Sequence, residues 1–158
     1  MKPAPFPFAL NIGIDIVHLP RIMRLISRPG GYLARFTRRI LSEPEQQDFR
    51  TRFILPRFPP PNSPNSRSVD VKVTANMARW LAGRFAAKEA ARKAARGGAK
   101  VVGWKDVVVR VGSDGEGDGA EGRPEVVFLN EGEGQGRVGR LSISHDGEYV
   151  VATVLAVG

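Results

Sequence analysis

Arg84-Phe85-Ala86-Ala87-Lys88-Glu89-Ala90-Ala91-Arg92-Lys93-Ala94 is the stretch from which the fold reads outward. It is alanine-rich and free of Pro and Gly, so it predicts helix. Leu81 and Phe85 lie four apart on one apolar face, and the next positions along that line are Glu89 and Lys93. A carboxylate and an ammonium therefore stand on the stripe that should face the core. The pair reads in one of two ways. It is a snorkelling helix edge with an ordinary i, i+4 ion pair, worth roughly 0.3–0.5 kcal/mol. Or it is a buried carboxylate that must find a cation or several donors. The helix is expected over residues 74–96, with Gly97-Gly98 as its stop.

Upstream, Asn11-Ile12-Gly13-Ile14-Asp15-Ile16-Val17 alternates as a strand. Ile12, Ile14 and Ile16 share one face; Gly13, Asp15 and Val17 share the other. Asp15 is the one charge in this apolar strand, and an acid there is paired, capping or a ligand. Pro20 can open a helix that runs to about residue 27, with Ile22, Leu25 and Ile26 inward. Arg21, Arg24 and Arg28 follow i, i+3, i+7 and make a basic stripe with no acid to pair with. It is a solvated face or a docking surface. A second short helix is expected over residues 32–41, with Leu33, Phe36 and Ile40 inward. Ser42 and Glu45 have capping-box spacing, which places a third helix over residues 43–53. Residues 1–10 read as a disordered tail and residues 56–68, rich in Pro, Asn and Ser, as a surface insertion in one domain spanning 11–158.

Downstream, residues 104–111 alternate as a strand and residues 124–129 as its partner. Residues 112–122, Gly-rich and acidic, read as a flexible hairpin loop between them. Leu141-Ser142-Ile143-Ser144-His145 enters a final hairpin, with Asp146-Gly147 as its turn and His145 at its tip. A His at a strand end is structural or functional. Ser144, His145 and Asp146 do not form a hydrolytic triad, because neighbouring strand residues point apart.

Composition narrows the class. A chain of 158 residues with a 42% hydrophobic fraction fits one domain with a real core. There is no cysteine, which excludes a disulfide framework and a zinc–thiolate site. No apolar run approaches the ~18 residues of a membrane span. The net charge of +8 is uneven: residues 1–99 carry 18 basic and 6 acidic side chains, whereas residues 100–158 carry 6 and 10. A basic half implies a polyanionic partner. A nucleic-acid-binding module is one such reading. No RNP, KH or zinc-finger pattern supports it, and aromatics do not interleave with the basic residues.

Three polar sites thus stand out: Asp15, Glu89 with Lys93, and His145. Two carboxylates without Cys or a His pair favour a hard cation, Mg²⁺ rather than Zn²⁺. Adjacent Arg and Lys suit a diphosphate-bearing cosubstrate.

These residues resemble the 4'-phosphopantetheinyl transferases of the holo-acyl-carrier-protein synthase type. Three motifs carry the likeness: Gly13-Ile14-Asp15, then Phe85-Ala86-Ala87-Lys88-Glu89-Ala90 with Lys93, then Leu141-Ser142-Ile143-Ser144-His145. The block Arg35-Phe36-Thr37 through Ile40-Leu41-Ser42-Glu43-Pro44-Glu45 also fits. The Ser-His motif follows Gly-Ile-Asp, which marks the small single-unit class. The longer stretches at 56–68 and 112–122 suggest a eukaryotic member, in which case a mitochondrial location is expected, otherwise a cytoplasmic one.

The resemblance implies an α+β fold, with an antiparallel sheet packed on the long helix, and a homotrimer with sites between subunits. It implies transfer of phosphopantetheine from coenzyme A to a serine of apo-acyl-carrier protein, with release of 3',5'-ADP, in support of fatty acid or polyketide synthesis. Asp15 and Glu89 would be the Mg²⁺ ligands. Lys93 would sit by the reacting phosphate and help deprotonate the serine, directly or through water. His145 would contact the 3'-phosphate, and Arg84, Lys88 and Arg123 are further candidates for coenzyme A contacts. The Arg21/Arg24/Arg28 stripe would meet the acidic carrier protein. A family member without activity, acting as a scaffold, is the alternative within the family; the presence of every named site residue argues against it.

Overall fold

The structure is a computed structural model that describes residues 4, 6–58, 71–112, 122–129 and 136–158. Most of 112–122 and part of 56–68 and of the tail lie outside those residues. In chain order the elements are β1 (Leu10–His18), α1 (Leu19–Ile26), α2 (Tyr32–Ile40), α3 (Glu43–Phe53), α4 (Ala75–Ala94), β2 (Val107–Val111), β3 (Pro124–Phe128), β4 (Arg137–Asp146) and β5 (Tyr149–Val157). The five strands form one antiparallel sheet in the order β1-β5-β4-β3-β2. This is the expected α+β architecture.

The 20-residue α4 crosses the β1–β5 side of the sheet. Thr74 caps it, its hydroxyl accepting from the Met77 amide at 3.3 Å. The helix lies close because its inner side is almost all alanine: Ala82, Ala86, Ala87, Ala90, Ala91 and Ala94 are fully buried. The strand matches it with Gly13. A Cβ there would stand 2.0 Å from the Ala90 carbonyl oxygen and 2.8 Å from the Ala94 nitrogen. Only glycine admits the helix backbone at that point. The face of β1 that meets α4 is therefore Gly13, Asp15 and Val17. The opposite face points out, with Ile12, Ile14 and Ile16 exposed by 65%, 54% and 62%, beside the half-exposed Leu155 and Val157 of β5.

Glu45 does more than cap α3. It accepts from the Ser42 amide and hydroxyl at 2.9 Å each, as the capping-box spacing implies. It also accepts from the Val109 amide at 3.1 Å and from Lys88 Nζ at 2.6 Å, joining α3, α4 and β2. Two local expectations are corrected. Residues 104–106 form a 3-10 turn before β2, because the Asp106 carboxylate caps the Gly103 amide at 2.9 Å. The last hairpin turns at Gly147-Glu148, since Asp146 still pairs with Tyr149 and Gly147 supplies the positive φ of 51°.

Candidate active site

Asp15 and Lys93 meet where β1 runs under the end of α4. Lys93 Nζ donates to Asp15 Oδ1 at 2.8 Å and to the Ile14 carbonyl at 2.8 Å. The close approach at Gly13 brings the two elements within this reach. Glu89 lies one turn earlier on α4. Its Oε1 accepts from Arg92 Nη1 at 2.6 Å and from the Trp104 indole N–H. The local Glu89–Lys93 pair is not made. Lys93 finds a partner 78 residues back, and Glu89 one three residues on, because the two side chains leave the helix toward different neighbours.

Asp15 and Glu89 are mostly covered, with side chains 16% and 19% exposed, and Lys93 is half-exposed. Every described bond of the two carboxylates ends on one oxygen each, Asp15 Oδ1 and Glu89 Oε1. Among the described residues their second oxygens have no hydrogen-bond partner. Among the described residues no three His, Cys, Asp or Glu side chains gather as a ligand set. Two carboxylates with one open oxygen each, completed by water and substrate phosphates, fit Mg²⁺, which retains waters and takes few protein ligands.

Lys88 is corrected. It is 0% exposed, and its ammonium donates to Glu45, the Trp104 carbonyl at 2.9 Å and the Val107 carbonyl at 2.6 Å. All three N–H groups are used, so none is left for coenzyme A. Burial pushes its pKa down, against the attraction of Glu45. Arg84 belongs to the same joint. It donates to the Val109 carbonyl, approaches Asp48 at 3.6 Å and lies over the Trp80 ring at 4.7 Å. Its mostly covered guanidinium, also lowered in pKa by burial, serves α3–α4–β2 packing rather than the carboxylate site.

His145 is exposed near the end of β4, on the helix-side face shared with Leu141 and Ile143, and pairs with Val150. It is separated from β1 by β5. Arg123 is exposed just before β3, three strands from Asp15, where its carbonyl accepts from the Gly112 amide at 2.8 Å. One chain does not bring Arg123 to the carboxylates. Arg21, Arg24 and Arg28 are all exposed. Arg28 lies past the end of α1, 5.6 Å from the Tyr32 ring centroid, so the stripe ends in a turn.

Arg92 and Trp104 are the site residues that sequence reasoning missed. The i, i+3 spacing of Glu89 and Arg92 was a readable signal. The reach of Trp104 to Glu89 had none.

The family model described as the 4'-phosphopantetheinyl transferase superfamily matches residues 11–154. The chain is 65% identical to the mitochondrial 4'-phosphopantetheinyl transferase B of Aspergillus fumigatus, over the full length of both. It is 37% identical to the holo-[acyl-carrier-protein] synthase of Gloeobacter violaceus, over 96% of this chain and 95% of that one. Among solved structures it resembles a holo-(acyl-carrier-protein) synthase from Bacillus anthracis in complex with CoA (3',5'-ADP). There the TM-score is 0.58 and the identity 31%, over 92% of this chain and 94% of that one.

Proposed function

This chain belongs to the 4'-phosphopantetheinyl transferase superfamily, and from that premise we propose that it acts as a holo-acyl-carrier-protein synthase. It transfers 4'-phosphopantetheine from coenzyme A to a serine of apo-acyl-carrier protein. The serine oxygen bonds to the β-phosphorus, the bond to the bridging oxygen breaks, and 3',5'-ADP leaves with that oxygen. The observation that carries this reading is the Lys93–Asp15 pair at the β1–α4 contact, with Glu89 one turn earlier on α4, inside a family match over residues 11–154.

Phosphoryl transfer asks a protein mainly for positioning and charge neutralisation. Asp15 and Glu89 would hold Mg²⁺ through their open oxygens. Mg²⁺ so held supplies charge neutralisation on the diphosphate as ADP departs. Lys93 has one N–H left beyond its bonds to Ile14 and Asp15. That N–H supports a role for Lys93 in steadying the reacting phosphate, and in its neutral form the amine would take the serine proton, directly or through water. His145, exposed and on the same sheet face, is the proposed contact for the 3'-phosphate. Arg123 would reach coenzyme A only from a neighbouring subunit.

The exposed isoleucine face of β1 supports a subunit interface, and the homotrimer implied by the resemblance is the assembly proposed. Arg21, Arg24 and Arg28 would receive the acidic carrier protein, whose modification serves fatty acid or polyketide synthesis. The mitochondrial Aspergillus relative supports a mitochondrial location for this chain. The test is incubation with apo-carrier protein, coenzyme A and Mg²⁺. A mass gain of one phosphopantetheine on the carrier is expected. No gain on any acidic carrier tried, with folded protein, overturns the reading.

A further inference from the structure

Two side chains of α4, Lys88 and Arg92, converge on residues 99–107. Lys88 holds the Trp104 carbonyl and the Val107 carbonyl. Arg92 donates from Nε to the Val102 carbonyl and from Nη2 to the Ala99 carbonyl, at 2.6 Å each. Its remaining edge donates to Glu89. The Trp104 ring is set by Phe85, 6.1 Å away between centroids, and by the Arg39 and Arg92 guanidiniums, each 4.7 Å from its centroid. Backbone and ring of Trp104 are thus both fixed, and the indole N–H points at Glu89 Oε1. Arg92 ends on the same oxygen. A carboxylate on a long side chain is normally free to rotate about its terminal torsion. Here two donors on one oxygen remove that freedom.

We infer that Trp104 and Arg92 are positioning residues for the cation site: they hold Glu89 Oε1 so that Oε2 alone is presented to the divalent cation. The inference rests on Glu89 being a cation ligand, as proposed above. The two donors differ in kind. Arg92 carries a charge that repels a bound cation, and it also ties down the 99–102 carbonyls. Trp104 orients through a neutral N–H, with no such repulsion. Trp104 is therefore the residue whose loss reports positioning alone. Partners of metal ligands typically contribute 10–100-fold to metal affinity.

The experiment uses the full chain with coenzyme A and Mn²⁺ as the probe, with free Mn²⁺ read by electron paramagnetic resonance. Trp104→Phe retains the ring and removes the N–H. It should raise the Mn²⁺ dissociation constant about 10–100-fold. Coenzyme A affinity without metal and the circular dichroism spectrum should stay near those of the unsubstituted chain. Turnover of Trp104→Phe should recover as Mg²⁺ is raised, whereas Glu89→Gln should not. The chain has two tryptophans, so Trp80→Phe leaves Trp104 as the only indole. Its emission should change on Mg²⁺ titration, and Glu89→Gln should abolish the change. This arm keeps the proposal testable even if Trp104→Phe does not fold. A lowered melting temperature with unchanged Mn²⁺ affinity in Trp104→Phe, or an indole emission indifferent to Mg²⁺, overturns the positioning role. If Glu89→Gln also binds Mn²⁺ normally, the cation site falls, and the positioning role with it.

Discussion

Lys93 and Glu89 sit one turn apart on α4, and each binds something other than its neighbour. Lys93 holds Asp15, and Glu89 is held by Arg92 and Trp104. Among the described residues this leaves one oxygen without a partner on each carboxylate. Asp15→Asn and Glu89→Gln retain shape but remove an anionic ligand, so each should lower kcat by at least about 100-fold with little change in melting temperature. Turnover near that of the unsubstituted enzyme with Mg²⁺ would refute the ligand assignment. Lys88 behaves differently. Removing it strands Glu45 in the core with its charge unpaired, and breaking such a buried pair costs about 3–5 kcal/mol. Lys88→Met should therefore show its loss in urea or thermal unfolding. A normal midpoint with weakened coenzyme A binding would return Lys88 to the nucleotide site. Both expectations depend on tertiary partners. The sequence placed Lys88 and Glu89 side by side but did not reveal that Lys88 turns to Glu45 while Glu89 turns to Arg92 and Trp104.

At the scale of elements, α1 was legible almost entirely. Pro20 at its start, Ile22 and Ile26 inward and the Arg spacing all follow from the helical period. Its basic face is exposed, and rim charges act mostly on encounter and are screened by salt. Arg21→Glu with Arg28→Glu should raise the KM for carrier protein about 5–30-fold at low salt, roughly 1–2 kcal/mol. The KM for coenzyme A should stay nearly unchanged, and the carrier defect should shrink at high salt. Weakened coenzyme A binding with normal carrier KM would assign the stripe to the nucleotide. The α4–β1 contact was less legible. Gly13 could be seen as a break in the isoleucine pattern. Its purpose, to admit the Ala90 and Ala94 backbone, needed the packed pair.

For the whole molecule, the sheet covers one face with helices and leaves Ile12, Ile14 and Ile16 on the other. Burying an isoleucine side chain contributes roughly 1.5–3 kcal/mol, so covering this row in the proposed assembly would favour association. The proposed trimer should appear in light scattering at micromolar concentration. Ile14→Glu should shift it toward monomer and lower activity in parallel. A monomeric, fully active unsubstituted chain would rule the assembly out.

The sequence by itself determined the helices and, apart from residues 104–106 and the last turn, the strands, because those depend on periods of 3.6 and 2 and on near neighbours in the chain. It determined that β1 has an isoleucine face and a Gly-Asp-Val face. Only the tertiary structure decided which faces inward. Hydrophobicity favours the isoleucines, but an alanine-lined helix packs closest on glycine, and that contact sends the isoleucines out. Tertiary structure also decided who binds whom among the charges. The distant partners of Asp15, Lys88 and Glu89 are fixed by proximity in space, across 78 residues for Lys93, 43 for Glu45 and 15 for Trp104. Local spacing carries no information about separations of that length, because they are set by how the sheet, the helix and the 99–107 connection pack together.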